Sequence, residues 1–285
     1  MKIIIHTTLY LGIILTLLSC NLEKEVEIEI PGFENGYVVE SYIKPGRDFG
    51  ILVTKSYGFF EVFDVSNSSN DLLNEFLVQG VEGHIEVNGQ RIVLRNHLKI
   101  SLDSSKIYNY IPDDKVFFNE GDQVELYLRF PDGEETRAQT YIPERRPVDS
   151  VRISIDESQD FDARETTFVN SDSTTTEYFR RQLFRIHDGH IKKLQDFTFD
   201  NSLARGGNLA FGSGYEFNVG DTLISRITHI PEEYFDFYQS VTGSTSANSN
   251  PFGQPGHIQS NLKGSSRVIG IFTGMNPSEI LMKIE

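Results

Sequence analysis

Along most of the chain, apolar side chains recur at alternate positions in short runs separated by Gly, Asn, Asp and Pro. A period of two predicts strands with one buried face. Residues 37–44 (YVVESYIK) predict the first strand, ended by Pro45-Gly46, and residues 50–60 predict a second. Residues 83–94 carry Asn88-Gly89 at their centre. Both residues tolerate positive φ, so this stretch predicts a hairpin closed by a type I′ turn. Residues 123–130 (QVELYLRF) alternate without a break, and Pro131-Asp132-Gly133 turns them into a strand over residues 134–142. About six or seven strands at this spacing predict an immunoglobulin-like β-sandwich over residues 36–143. The chain lacks the Cys…Trp…Cys core of antibody domains, having one cysteine and no tryptophan.

Pro143 to Pro147 (PERRP) forms a short, stiff, charged link, and a second β-rich domain is expected over residues 144–285. Its strands are predicted at 148–155, 178–187, 191–199, 222–230, 267–273 and 279–284. Residues 157–177 are rich in Asp, Glu, Ser and Thr and predict a long loop or an irregular hairpin. One amphipathic helix is predicted at 231–242. Pro231 and two glutamates suit its first turn, Tyr234, Phe235, Tyr238 and Val241 share a face, and Gly243 offers a stop. Residues 243–266, full of Gly, Ser, Asn and Pro, predict a long loop of the kind that often carries function. The expected fold class is therefore mainly β, with an N-terminal sandwich and a second β-rich domain carrying one helix.

The first 19 residues break this pattern. Lys2 precedes an Ile- and Leu-rich stretch too short for a comfortable membrane span, which reads as a signal peptide. Leu17-Leu18-Ser19-Cys20 resembles a bacterial lipobox, in which the cysteine sulfur receives a diacylglycerol and the new N-terminus an acyl chain. Cys20 is the single cysteine of the chain, so no intramolecular disulfide competes for it. Three buried acyl chains would anchor the protein to a membrane that it does not span. Residues 20–35 then read as a lipidated acidic tether. Glu23, Glu25, Glu27 and Glu29 resemble the surface-export signal of Bacteroidota lipoproteins, which implies the outer membrane and its exterior face.

Charge narrows the partner classes. With 26 Lys and Arg against 41 Asp and Glu, the formal charge is −15, and removing residues 1–19 with Lys2 makes it −16. Nucleic-acid recognition starts from a basic patch, so no nucleic acid is expected. Glycan stacking on Trp is excluded, although Phe (21) and Tyr (12) are plentiful.

Several segments in order resemble one family. CNLEKEVEIEIP followed by YVVESYIKPG, the central TYIPERRPVDSV, the run from GDTL to ITHIPEEYFDFYQSV, Asn250-Pro251-Phe252, and Ser260-Asn261-Leu262-Lys263-Gly264 before Gly270-Ile271-Phe272 are similar to the Bacteroidota outer-membrane lipoprotein family catalogued as domain of unknown function 4249. Members often have a glycine pair where this chain has Gly264-Ser265. The resemblance implies a lipid-anchored outer-membrane protein working beside a TonB-dependent β-barrel receptor. It implies no catalytic residues.

Individual motifs carry little chemistry. His187-Asp188-Gly189-His190 puts two histidines about a turn, short of the four ligands of structural zinc. Asp64, Ser66, Ser68, Asn70 and Glu75 have calcium-loop spacing, but Ser69 stands where the loop needs glycine. Gly212-Ser213-Gly214 lacks the five-residue nucleophile elbow. No metal and no cofactor is expected beyond the lipid on Cys20. Asp172-Ser173-Thr174 fits a Bacteroidota O-glycosylation pattern in a polar loop, making Ser173 its candidate site. Asp149-Ser150-Val151 and Asp221-Thr222-Leu223 fit it at strand starts, where modification would compete with pairing. Tyr57, Phe59, Phe60 and Phe63, with Asn250, Pro251 and Phe252, are the candidate partner contacts. The function expected is that of a non-enzymatic accessory or substrate-binding partner of a TonB-dependent transporter. A structural subunit of an outer-membrane secretion or assembly complex is the alternative.

Overall fold

The computed structural model describes residues 35–57, 75–101, 106–204, 207–248 and 257–285. The chain divides into a unit over Met1–Phe33 and one over Glu34–Glu285, and the first lies outside the described residues. So do the signal segment, Cys20, nearly all of the acidic tether and most of the calcium-like stretch.

The first half gives β1 (Tyr37–Ile43), β2 (Leu52–Lys55), β3 (Glu82–Val87), β4 (Gln90–Ser101), β5 (Lys106–Pro112), β6 (Gln123–Arg129) and β7 (Glu135–Tyr141). The second gives β8 (Val148–Ile155), β9 (Ala163–Asn170), β10 (Tyr178–His187), β11 (His190–Asp200), β12 (Asn208–Gly212), β13 (Thr222–Ile230), helix α1 (Glu232–Asn248), β14 (Lys263–Gly264), β15 (Val268–Gly274) and β16 (Asn276–Lys283). The protein is mainly β, as the alternation predicts.

A six-stranded sheet, in the order β14-β7-β6-β3-β4-β5, faces a three-stranded sheet, β15-β1-β2. Val39, Ile43, Ile51, Val53 and Phe272 from one meet Ile85, Val124, Leu126, Leu128 and Ala138 from the other in a single core. Period-two alternation places these side chains inward; in β7 every second residue is buried. The turn between β3 and β4 has Asn88 at φ 49° and Gly89 at φ 84°, the type I′ signature. The edge strand β5 is tied inward by side chains. Buried Asn109 accepts from Val53 N at 2.7 Å and donates to Val53 O and Val78 O, so its amide stands in for a neighbouring strand.

A second sandwich packs the sheet β11-β10-β13-β16 against β12-β9-β8. Phe179 and Ile227 meet Val148, Val169 and Leu209 in one cluster, while Leu183, Leu223 and Ile284 meet Ala163 and Phe217 in another.

The two sandwiches are not consecutive halves of the chain. After β13 and α1, the chain returns to the first: β14 pairs with β7, and β15 runs parallel to β1 from Tyr37↔Val268 to Ile43↔Gly274. It then crosses back through Met275, and β16 pairs with β13. The PERRP link is thus the first of three crossings, the return after α1 being the second and Met275 the third. The first and third lie side by side, where Asn276 Nδ2 donates to Pro143 O at 3.0 Å and Ser278 Oγ accepts from Val148 N at 3.0 Å. Within residues 257–275, the expected second domain therefore supplies strands to the first sandwich.

Three further expectations are corrected. Residues 157–177 contain β9, whose inward positions include Glu165 and Thr167 as well as Ala163 and Val169. A polar inward set hides the alternation from a hydrophobic pattern. The helix does not stop at Gly243 but runs to Asn248, because Gly243 keeps a right-handed backbone there. That leaves residues 243–266 as a helix end and β14 with a connection between them. The second strand is also shorter than residues 50–60, closing at Lys55.

Candidate binding cavity

Strand alternation gives β1 two faces. Val39, Ser41 and Ile43 are buried in the first sandwich, which turns Val38, Glu40, Tyr42 and Lys44 outward. The same rule acts in the second sandwich. Phe179, Arg181 and Leu183 of β10 and Ser225 and Ile227 of β13 enter its core, leaving Arg180, Gln182, Arg226 and Thr228 on the other side. Register places Arg180 opposite Thr228 and Gln182 opposite Arg226, with Glu279 of β16 beside Arg226. Helix α1 adds Tyr234, Phe237, Tyr238 and Val241 from one face. These three surfaces enclose a cavity of about 930 Å³, a size suited to a small organic molecule.

The helix face is fixed by packing. Tyr234 is 2 % exposed and clusters with Ile230, Ile271 and Met275, with Tyr42 and Tyr238 against them. Tyr42 meets the Tyr234 ring edge-on at 6.1 Å. Arg180 is the hub of this wall. Its guanidinium makes a two-pronged pair with Asp196 at 2.7 and 2.8 Å, donates to the Tyr234 hydroxyl at 2.6 Å and lies 5.0 Å from the centre of the Tyr238 ring. Burial works against its charge, but Asp196 together with Tyr234 and Tyr238 more than compensates and holds its pKa above the ordinary arginine value. Burial, more than any other cause, raises the Tyr234 phenol to about 12.

The lining is basic in an acidic protein. Lys44, Arg47, Lys106, Arg145, Arg180 and Arg226 face three carboxylates, Glu40, Asp48 and Glu279. Each of the three is engaged: Glu40 with Lys106 at 3.4 Å, Asp48 with Lys99 at 3.0 Å, Glu279 with Arg226 at 2.7 Å. Lys106 also stands 4.7 Å over the Tyr42 ring. Lys44 has no carboxylate partner among the described residues. Burial lowers its pKa, and the charges of Arg226, Arg47, Arg180 and Lys106 lower it further. A partly buried ammonium among like charges, beside tyrosine rings and apolar Ile269, Met275 and Val241, is a place to receive an anion attached to an apolar body.

The residues singled out from sequence fall elsewhere. Cys20, Phe59, Phe60, Phe63, Asn250, Pro251 and Phe252 lie outside the described residues. Tyr57 donates its hydroxyl to Glu75 O at 2.9 Å and packs edge-on against Phe76. Ser173 is exposed in a turn stabilised by Asp172, whose carboxylate accepts from Thr174 N and Thr174 Oγ1. His187 and His190 face each other across the β10–β11 turn. His187 Nδ1 lies 2.5 Å from Asp221 Oδ1, and no metal-holding group of three His, Cys, Asp or Glu side chains gathers among the described residues. No local pattern marks the cavity residues, which are scattered from 38 to 279. The outward positions of YVVESYIK and the Tyr-rich helix face were the available traces.

No curated protein matches this chain. The family model described as "Domain of unknown function (DUF4249)" matches residues 23–280, nearly the whole length. The match runs from the acidic segment to the last strands, and the chain belongs to the family of domain of unknown function 4249.

Proposed function

We propose that this chain is a non-enzymatic, lipid-anchored binding protein of the outer membrane that holds a small soluble ligand in the cavity between its two sandwiches. The observation that carries the reading is the cavity itself: about 930 Å³, walled by β1, by the outer face of β10, β13 and β16, and by α1, with tyrosine rings and charged groups converging on it. The lipobox at Leu17-Leu18-Ser19-Cys20 supports the anchor, and the acidic residues after it support surface exposure. An anchor of this kind concentrates a binder beside a membrane receptor, and the accessory role next to a TonB-dependent barrel rests on that argument and on the family resemblance.

The absence of tryptophan supplies a test. Phe237→Trp puts the chain's single indole on the cavity wall, where its fluorescence reports entry of a ligand. Screening this variant against outer-membrane and culture extracts should give a saturable change that a second tryptophan variant at exposed Ser173 does not show. A response equal in both variants, or in neither, sinks the cavity reading.

A further inference from the structure

We propose that the ligand of this cavity is an organic oligoanion: a small molecule whose carboxylate or phosphate groups seat at Lys44, inside a ring of further cations, while its apolar or aromatic body lies against Phe237, Val241 and Ile269. The inference rests on the cavity reading above and names the chemistry that the cavity selects.

Charge distribution is the first argument. The chain carries fifteen more acidic than basic residues, so a patch of its surface chosen at random is expected to be acidic. The cavity reverses this, with six cations against three carboxylates, a surplus of three positive charges. Each lining carboxylate is already held by a lysine or arginine, so none is free to neutralise Lys44. Arg180 is committed to Asp196 and Tyr234, which fixes it as a wall.

The second argument is the placement of Lys44. It stands at the end of β1, just before the Pro45-Gly46 turn, partly buried and on the outward register with Tyr42. Like charges gathered in a partly desolvated site repel one another more strongly than in water. An anion entering there relieves this repulsion and gains charge-assisted hydrogen bonds. Arg145 at the cavity's exposed side, bonded through Nη2 to the Ser278 hydroxyl at 3.4 Å, offers a second cation without a carboxylate partner among the described residues. Two such cations fit two acidic groups better than one.

The third argument is the apolar share of the wall. Val38, Ile258, Ile269, Met275, Phe237 and Val241 line the same space. An inorganic ion would leave this surface uncovered, whereas an organic acid covers it and gains from its burial.

The test titrates benzene-1,3,5-tricarboxylate, phenyl phosphate and the neutral benzene-1,3,5-trimethanol into the mature Phe237→Trp chain at low salt. A saturable fluorescence change with the tricarboxylate or the phosphate is expected, and which of the two binds more tightly tells carboxylate from phosphate recognition. Binding should weaken by about tenfold or more in Lys44→Gln, equivalent to losing about 1.4 kcal/mol, and be retained in Lys44→Arg. Thermal unfolding of both variants checks that they fold. If the triol binds as well as the tricarboxylate, the anion proposal falls while the cavity reading stands. If the anions bind but Lys44→Gln leaves their affinity unchanged, the assignment to Lys44 falls. If none of the three probes produces a response while an extract does, the ligand is of another class and the proposal is overturned; silence toward extract and probes together overturns the cavity reading with it.

Discussion

Arg181 of β10 and Glu165 of β9 form an ion pair across the core of the second sandwich, and neither side chain has any exposure to solvent. Around them, Thr167 Oγ1 donates to Glu165 Oε2 at 2.9 Å, and Arg181 Nη1 donates to Thr167 Oγ1 and Ser225 Oγ. The pair splits the apolar core into the two clusters on either side of it. Burial lowers the pKa of the guanidinium to about 10, which still leaves it charged at neutral pH.

Removing one partner of this pair strands the other charge in the core. Glu165→Ala should therefore destabilise the fold by about 3–5 kcal/mol. The double variant Arg181→Met with Glu165→Leu should recover most of that loss, because two apolar groups need no partner. Urea unfolding of the three proteins measures both. A single variant no less stable than the parent would show that the pair is not desolvated as described.

Two glycines predict changes of opposite sign. Gly270 sits at φ 132° in register with Val39, and a Cβ there would lie 2.0 Å from Val39 O. Gly270→Ala should cost at least about 3 kcal/mol through backbone strain and overlap at the β1–β15 pair. Gly243 lies within α1 with open space about its Cα and a right-handed backbone. Gly243→Ala should stabilise by up to about 1 kcal/mol. Thermal melts of the two variants should move in opposite directions.

His229 gives the fold an acid-sensitive point. It is buried, stacks on Phe179 at 5.2 Å, and its Nδ1 lies 2.7 Å from Glu144 O. Burial lowers its pKa and Arg146 lowers it further, against the opposing pull of the Glu144 carbonyl and of Glu177. His84 is lowered too, by burial and then by Arg91. A depressed histidine pKa means that the unfolded chain takes up the proton more readily. The stability contribution is complete above the unfolded value of about 6.5 and is lost as pH falls through the lower folded value. Denaturation at pH 7.5 and pH 5.5 should show this fall, and His229→Gln should flatten it. An identical slope in the variant would remove His229 from the account.

The proposed anchor is testable apart from the cavity. Labelled palmitate should enter the full-length chain expressed in a Gram-negative bacterium and not its Cys20→Ser variant, and the variant should leave the membrane fraction. Retention of label in the variant would rule out Cys20 as the attachment point.

Local physics made much of this protein legible from its sequence. Where one strand face is apolar, alternation alone predicts the strand: residues 123–130 became β6 (Gln123–Arg129) and residues 148–155 became β8 (Val148–Ile155). Asn88-Gly89 predicted its turn because few other residues tolerate positive φ, and the motif order identified the family. The failures have a common cause. β9 escapes a hydrophobic pattern because its inward positions hold Glu165 and Thr167, which are satisfied by each other and by Arg181 and Ser225 from other strands. The parallel pairing of β1 with β15 joins residues more than two hundred positions apart, and no local pattern encodes a partner at that distance. The cavity follows from the same fact. Lys44, Arg180, Arg226 and Tyr234 each read locally as an ordinary strand or helix position, and they become one site only when the chain crosses three times between its sandwiches and lays α1 along the seam. The sequence determined which side chains face outward on each element, and the tertiary fold decided which of those outward faces look at one another.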